Sequence, residues 1–135
     1  MPIIGVDYGL KRVGIAFSSG KIAFAGETLT GGDDACARGV ISAAEKIGAD
    51  EIVVGLPKNM NGTESEMTTL ARQFAAKLEA ATKIKIVLWD ERLTSAQADR
   101  AMLTGDLSRK KRKQHIDSIS AQIMLQSYID AVKPS

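Results

Sequence analysis

The sequence predicts an α/β domain built on a mixed five-stranded sheet with helices on its faces, and three observations carry that prediction. The first thirty residues alternate short apolar runs with tight turns. From Glu51 onward, strand-like and helix-like segments take turns. The resulting order, βββαβαβαα, joins an antiparallel start to a strand–helix alternation, which is the pattern of an α/β fold.

Each element has its own signal. Ile3 to Asp7 is a short apolar run that ends in a carboxylate. After a turn containing Gly9 come Val13–Phe17, a Ser-Ser-Gly turn, and Lys21–Leu29, read as a strand, a turn and a strand. Asp33 or Asp34 is placed to cap a helix running to about Ile47, with Gly48 to end it. Glu51–Gly55 is a short buried strand closed by Leu56-Pro57. Thr63-x-x-Glu66 has the form of a capping box opening a helix to about Ala81. Ile84–Trp89 is the fifth strand, followed by Asp90-Glu91-Arg92. Thr94-x-x-Gln97 offers a second capping box for a helix ending near Gly105, and the last helix is expected over Ile116–Val132.

The 135 residues suit a single domain, 1–135, with no repeat and no linker of biased composition. With 44% hydrophobic and 25% charged residues, the chain falls among soluble globular proteins rather than disordered ones. Cys36 is the only cysteine, which excludes an internal disulfide or a zinc ribbon and points to a reducing compartment, the cytoplasm. The start Met1-Pro2-Ile3-Ile4-Gly5-Val6-Asp7 reads as a core strand rather than a signal peptide. No apolar stretch approaches the roughly 18 residues that a membrane span requires.

Three acids stand where structural acids are uncommon. Asp7 closes an apolar strand, and Glu91 follows another, on the face of Val87 and Trp89 by alternation. In open α/β sheets ligands gather at the carboxyl ends of strands. Asp117 shares a helical stripe with Ala121, Met124 and Tyr128, so it belongs to the core-facing side of the last helix. Singly, each acid has a bland explanation as a turn acceptor or a helix-start acid. Together, converging carboxylates repel one another unless a cation lies between them, and magnesium or manganese suits such an oxygen-rich site. Two ions about 3.5–4 Å apart would serve phosphodiester hydrolysis, with Asp7 bridging and Glu91 and Asp117 completing the shell.

The net charge of +2 is modest, but Arg109-Lys110-Lys111-Arg112-Lys113 is an unbroken basic run. Mutual repulsion predicts a mobile loop for it, directly before the helix of Asp117. Lys11, Arg12, Lys58, Asn59 and Arg92 lie on loops expected at the same sheet edge, and together with Arg109–Lys113 they form the candidate nucleic-acid-binding set. Such a set predicts binding through phosphates that weakens steeply with salt. Aromatic residues are 4% of the chain and fall mostly in predicted strands and helices, so recognition by shape and backbone is expected over base stacking on an aromatic platform. His115, Cys36 and the methionines read as a bystander and packing residues.

These residues resemble the YqgF, or RuvX-type, family of Holliday-junction-resolvase-like proteins and pre-16S rRNA nucleases. The matching stretches are Gly5-Val6-Asp7-Tyr8-Gly9-x-Lys11-Arg12-Val13-Gly14-Ile15-Ala16 and Val53-Val54-Gly55-Leu56-Pro57-x-Asn59-Met60-x-Gly62-Thr63. Trp89-Asp90-Glu91-Arg92-Leu93-Thr94-Ser95, Ser108–Arg112 and Asp117-Ser118-x-x-Ala121 continue the match nearly end to end. The resemblance implies a ribonuclease-H-like fold, a divalent-metal nuclease site on Asp7, Glu91 and Asp117, and maturation of the 5′ end of pre-16S ribosomal RNA. Related enzymes usually carry four acids. Here the loop after the fourth strand offers Asn59 and Asn61 instead, which implies metal affinity that substrate phosphates complete.

Three other readings are weighed. A resolvase acting on branched DNA shares the same chemistry. A non-catalytic RNA-binding module fits the basic run but not three acids at a phosphate surface. An actin-type ATPase shares the Asp7-Tyr8-Gly9 turn but needs two such domains, and 135 residues supply one.

Overall fold

The computed structural model describes residues 2–58, 61–90 and 109–132, with the backbone alone over 109–117. Its elements are β1 Ile3–Tyr8, β2 Val13–Ser19, β3 Ile22–Leu29, α1 Asp33–Ile47, β4 Glu51–Leu56, α2 Glu66–Ala81, β5 Lys85–Asp90 and α3 Arg109–Val132. The helix expected between Thr94 and Gly105 lies outside the described residues.

The strands form one sheet in the order β3-β2-β1-β4-β5. β1, β2 and β3 are an antiparallel meander, whereas β4 and β5 run parallel to β1. The expected mixed sheet is therefore present, and its parallel strands β1, β4 and β5 direct their carboxyl ends to one edge. β4 is buried along its whole length because both of its faces are covered.

Alternation splits the apolar residues into two cores. Ile4, Val6, Ile52 and Val54 point to one face and pack with Val40 of α1 and Phe74 and Leu78 of α2. Ile3, Ala16, Ala23 and Val53 point to the other face and meet Ala121, Met124, Leu125, Tyr128 and Ile129 of α3. The second face is paved with small side chains, so α3 sits close to it. A Cβ added to Gly5 would lie 2.9 Å from Leu125 Cβ, which no ordinary packing permits.

α3 also seals the outer edge of the sheet. The Ala23 amide donates to Gln126 Oε1 at 2.9 Å, and the Gln122 and Gln126 amides donate to the Ala23 and Lys21 carbonyls at 3.0 and 2.8 Å. Part of β3's outward backbone row is thereby satisfied, which protects an edge otherwise open to pairing with another chain.

Local chemistry corrects three expectations. Gly32, not Asp33 or Asp34, is the N-cap of α1, with φ 96°, a backbone region open to glycine. The two aspartates fall in the first turn instead, where the helix dipole favours them. α2 starts two residues later than expected and is capped by Ser65. Its hydroxyl accepts from the Thr68 amide, while the Thr68 hydroxyl accepts from the Ser65 amide. Thr63 instead pairs with Asn61 in a side-chain turn. The basic run Arg109–Lys113 is not a loop but the opening of α3. Lysine and arginine are good helix formers, and each like-charge pair three or four residues apart costs only about 0.2–0.5 kcal/mol, so the repulsion does not forbid the helix. Cys36 is buried in the first core, as expected of a packing residue. Among the described residues no helix is long and apolar enough to cross a membrane.

Candidate active site

Asp7 is half-buried and lies one residue inside the end of β1, rather than at its last position. Strand alternation puts it on the face of Ile3 and Gly5, beneath α3. In β2 its partner is Gly14. On the other side it follows the Val6–Val54 pair by one residue, which brings it level with Gly55 of β4. Glycines therefore flank Asp7 on both neighbouring strands, and the next residue along the same row is Trp89, the β5 partner of Gly55. Glycine in a strand interior weakens the strand and marks a place where something else approaches closely.

The direction of α3 supplies the second wall. At the amino edge of the sheet, Tyr128 reaches Glu51, whose strand partner is Ile3. Farther along β1, Ala121 and Leu125 lie over Gly5. The helix thus runs antiparallel to β1, beginning at the carboxyl edge. Position 117 is four residues, about 6 Å, before Ala121. Asp7 is two residues, roughly 6.6 Å, beyond Gly5. The backbone of α3 therefore carries position 117 to the level of Asp7, and the stripe of Ala121, Met124 and Tyr128 is buried against the sheet as expected. Glu91 follows Asp90 at the end of β5 and lies outside the described residues, while Val87 and Trp89 pack on the α3 face.

The basic residues divide similarly. Lys11 is exposed and Arg12 half-buried in the turn that leaves β1, and half-buried Lys58 follows β4, all at the carboxyl edge. Arg109–Lys113 form the first turns of α3, which extend beyond that edge. Asn59 and Arg92 lie outside the described residues. Of the nominated acids Asp7 alone has a described side chain, and among the described residues no three acids, histidines or cysteines cluster as a metal site.

Tyr8 anchors this corner. Its ring packs on Phe74 at 5.0 Å, and its hydroxyl donates to both Asp33 carboxylate oxygens, at 2.9 and 3.1 Å. Burial, reinforced by the hydrogen bond to Asp33, pushes the phenol up to about 12. It stays a proton donor at neutral pH and fixes the end of β1 to the start of α1. Sequence reading nominated neither this pair nor the glycines flanking Asp7. Strand glycines at 14 and 55 were the available signal.

A five-stranded mixed sheet with this strand order and helices on both faces is a ribonuclease-H-like domain. The chain belongs to the RuvX family, described as Holliday junction resolvase, which matches residues 1–131. It is 41% identical to a Geobacillus protein provisionally named pre-16S rRNA nuclease, over 97% of this chain and 99% of the relative. A Bacillus mycoides protein of the same name is 40% identical with the same coverage. Among solved structures, Thermus thermophilus RuvC in complex with a Holliday junction substrate superposes with TM-score 0.63 at 11% identity, covering 98% of this chain and 97% of that one. A second Thermus thermophilus RuvC structure gives 0.51 at 11% identity, covering 97% and 96%. At such identities these two speak for the fold.

Proposed function

We propose that the chain is a divalent-metal-dependent nuclease of the cytoplasm that hydrolyses phosphodiester bonds in structured RNA, in the maturation of the 5′ end of pre-16S rRNA. The observation that carries this reading is the position of Asp7 in the sheet. A half-buried carboxylate flanked by strand glycines, at the carboxyl edge of parallel strands and level with the backbone of position 117, stands where open α/β sheets gather their ligands.

Asp7, with Glu91 and Asp117, would hold magnesium or manganese. The donor set fits: hard carboxylate oxygens suit these ions, and an acid on a phosphate-binding surface repels its ligand without one. When bound, the metal supplies charge stabilisation for in-line hydrolysis with departure of the 3′ oxygen. The chain itself binds and orients. Lys11, Arg12 and Lys58, with Arg109–Lys113 and Asn59 and Arg92, hold the phosphate backbone around the scissile bond. Binding therefore falls steeply as salt rises.

A second reading, hydrolysis of branched DNA, is favoured by the resolvase description of the family. One assay separates them. Pre-16S RNA with its 5′ extension and a four-way DNA junction are each incubated with magnesium, manganese or chelator, using wild type and Asp7→Asn. Metal-dependent cutting of the RNA, lost in the variant, is expected. Preference for the junction would move the substrate to DNA. No cutting of either by a folded protein that still binds RNA would replace the nuclease with a binding module.

A further inference from the structure

The turn between β1 and β2 holds a residue that the phosphate-binding reading does not use. Gly9–Arg12 close the hairpin between the paired Tyr8 and Val13, two to five residues from Asp7 and at the same edge. The turn is tight: a Cβ at Gly9 would lie 2.6 Å from the Arg12 carbonyl oxygen, closer than real contacts allow. At its tip stands Leu10, 68% exposed, the most exposed large hydrophobic among the described residues and a member of neither core. Its neighbour Lys11 is exposed as well. Turn tips ordinarily carry glycine, asparagine, aspartate or serine, which meet the turn's backbone needs and water together. Isolated exposed leucines are common on protein surfaces. This one is set between a glycine that fixes the turn and two cations, beside the acid of the candidate site.

We propose that Leu10 is an apolar wedge that enters the base stack next to the scissile phosphate, so that the chain prefers stacked or paired nucleic acid and opens it for cleavage. Leucine is among the side chains that proteins insert between base steps, unstacking them while cations hold the flanking phosphates. Lys11 and Arg12 are placed to hold those phosphates, and the tight turn at Gly9 keeps the tip from folding away. The inference rests on the nuclease reading for the identity of the neighbouring phosphate, but the unstacking itself is observable without cleavage.

The test uses two RNAs with the same cleavage-site sequence, one single-stranded and one paired, and the full chain carrying Leu10→Ser or Leu10→Met. Leu10→Ser is expected to lower the ratio of paired to single-stranded cleavage roughly tenfold, and Leu10→Met to restore it. In an Asp7→Asn background, binding to a paired RNA with 2-aminopurine at the site should raise fluorescence, and adding Leu10→Ser should remove the rise. An unchanged ratio overturns the wedge, as does an equal loss on both substrates or a loss that follows a lower melting temperature. If wild type cuts neither RNA, the nuclease reading fails alone, and the fluorescence still decides: a rise that depends on Leu10 upholds the wedge, and its absence refutes it.

Discussion

The two ends of the sheet each carry an acid on the face beneath α3, and the two acids live differently. At the amino end, Glu51 is buried and accepts a 2.7 Å hydrogen bond from the Tyr128 hydroxyl, with the Trp89 ring set edge-on to Tyr128 at 5.3 Å. Side chains fill the space around it. At the carboxyl end, Asp7 has Gly14 in the neighbouring strand on one side and Gly55 level with it on the other. The same sheet and the same helix thus set one carboxylate at the amino edge against a tyrosine and the other at the carboxyl edge between strand glycines. Burial alone does not say what an acid does; its place along the strand and the residues paired beside it narrow the choice.

The sharpest way to break this contrast is to neutralise each acid. Asp7→Asn should lower cleavage at least about a hundredfold while the protein stays folded, because the amide keeps the side chain's shape but is a poor ligand for a hard cation. Glu51→Gln should do the reverse, lowering the melting temperature and sparing the rate. If both variants lose stability and neither loses rate, the two ends are alike and the contrast falls.

Next in size is the spacing between helix and sheet. Gly5→Ala forces a methyl group against Leu125 and should destabilise by about 2 kcal/mol, read from urea unfolding. Because the displaced helix also carries position 117, cleavage should fall with it.

A third effect is visible in pH. Burial and the Glu51 hydrogen bond push Tyr128 up to about 12, and Tyr8 is raised to about 12 by burial and Asp33. The unfolded phenols lose their protons near 10.0, the folded ones later. The stabilisation is therefore complete below pH 10 and is lost as pH rises toward 12. Urea midpoints should fall across that window, and Tyr8→Phe with Tyr128→Phe should flatten the fall. An undiminished fall in the double variant would assign it to other groups.

The smallest expected effect lies at the edge strand. Gln126→Ala removes the partners of the Ala23 amide and the Lys21 carbonyl and should cost about 1 kcal/mol. Light scattering at high concentration should show more self-association than wild type. If it does not, the edge is protected by some other means.

Much of the fold was legible because its signals are local. The apolar runs of β1, β4 and β5 and the glycine closing α1 mark these elements without reference to the rest of the chain. The start of α3 was not legible, because the small cost of like-charge pairs on a helix is outweighed by the helix propensity of lysine and arginine and by the packing of the helix further on. The cap of α2 is hard to place from sequence since Thr63 and Ser65 are both competent caps; with Ser65 as the cap, the Thr68 hydroxyl also donates to the Pro57 carbonyl at 2.7 Å, a contact set by the tertiary fold. At the site, Asp7 stood out as a charge closing an apolar strand. Its neighbours Gly14 and Gly55 did not, because their importance depends on strand pairing, and pairing is not written in any single segment.

The seal on β3 has a consequence for how the chain is made. α3 follows all five strands in the chain, yet it supplies both the cover for one sheet face and the amides that cap the outer edge. During synthesis, therefore, β1 to β5 leave the ribosome with half of their hydrophobic surface bare and β3 unprotected, and stay so until the last helix emerges. At about 5–20 residues per second, the lag is on the order of seconds. For that interval the nascent sheet shows apolar surface and an open strand edge, the features that favour aggregation, and truncation within α3 is expected to leave them exposed.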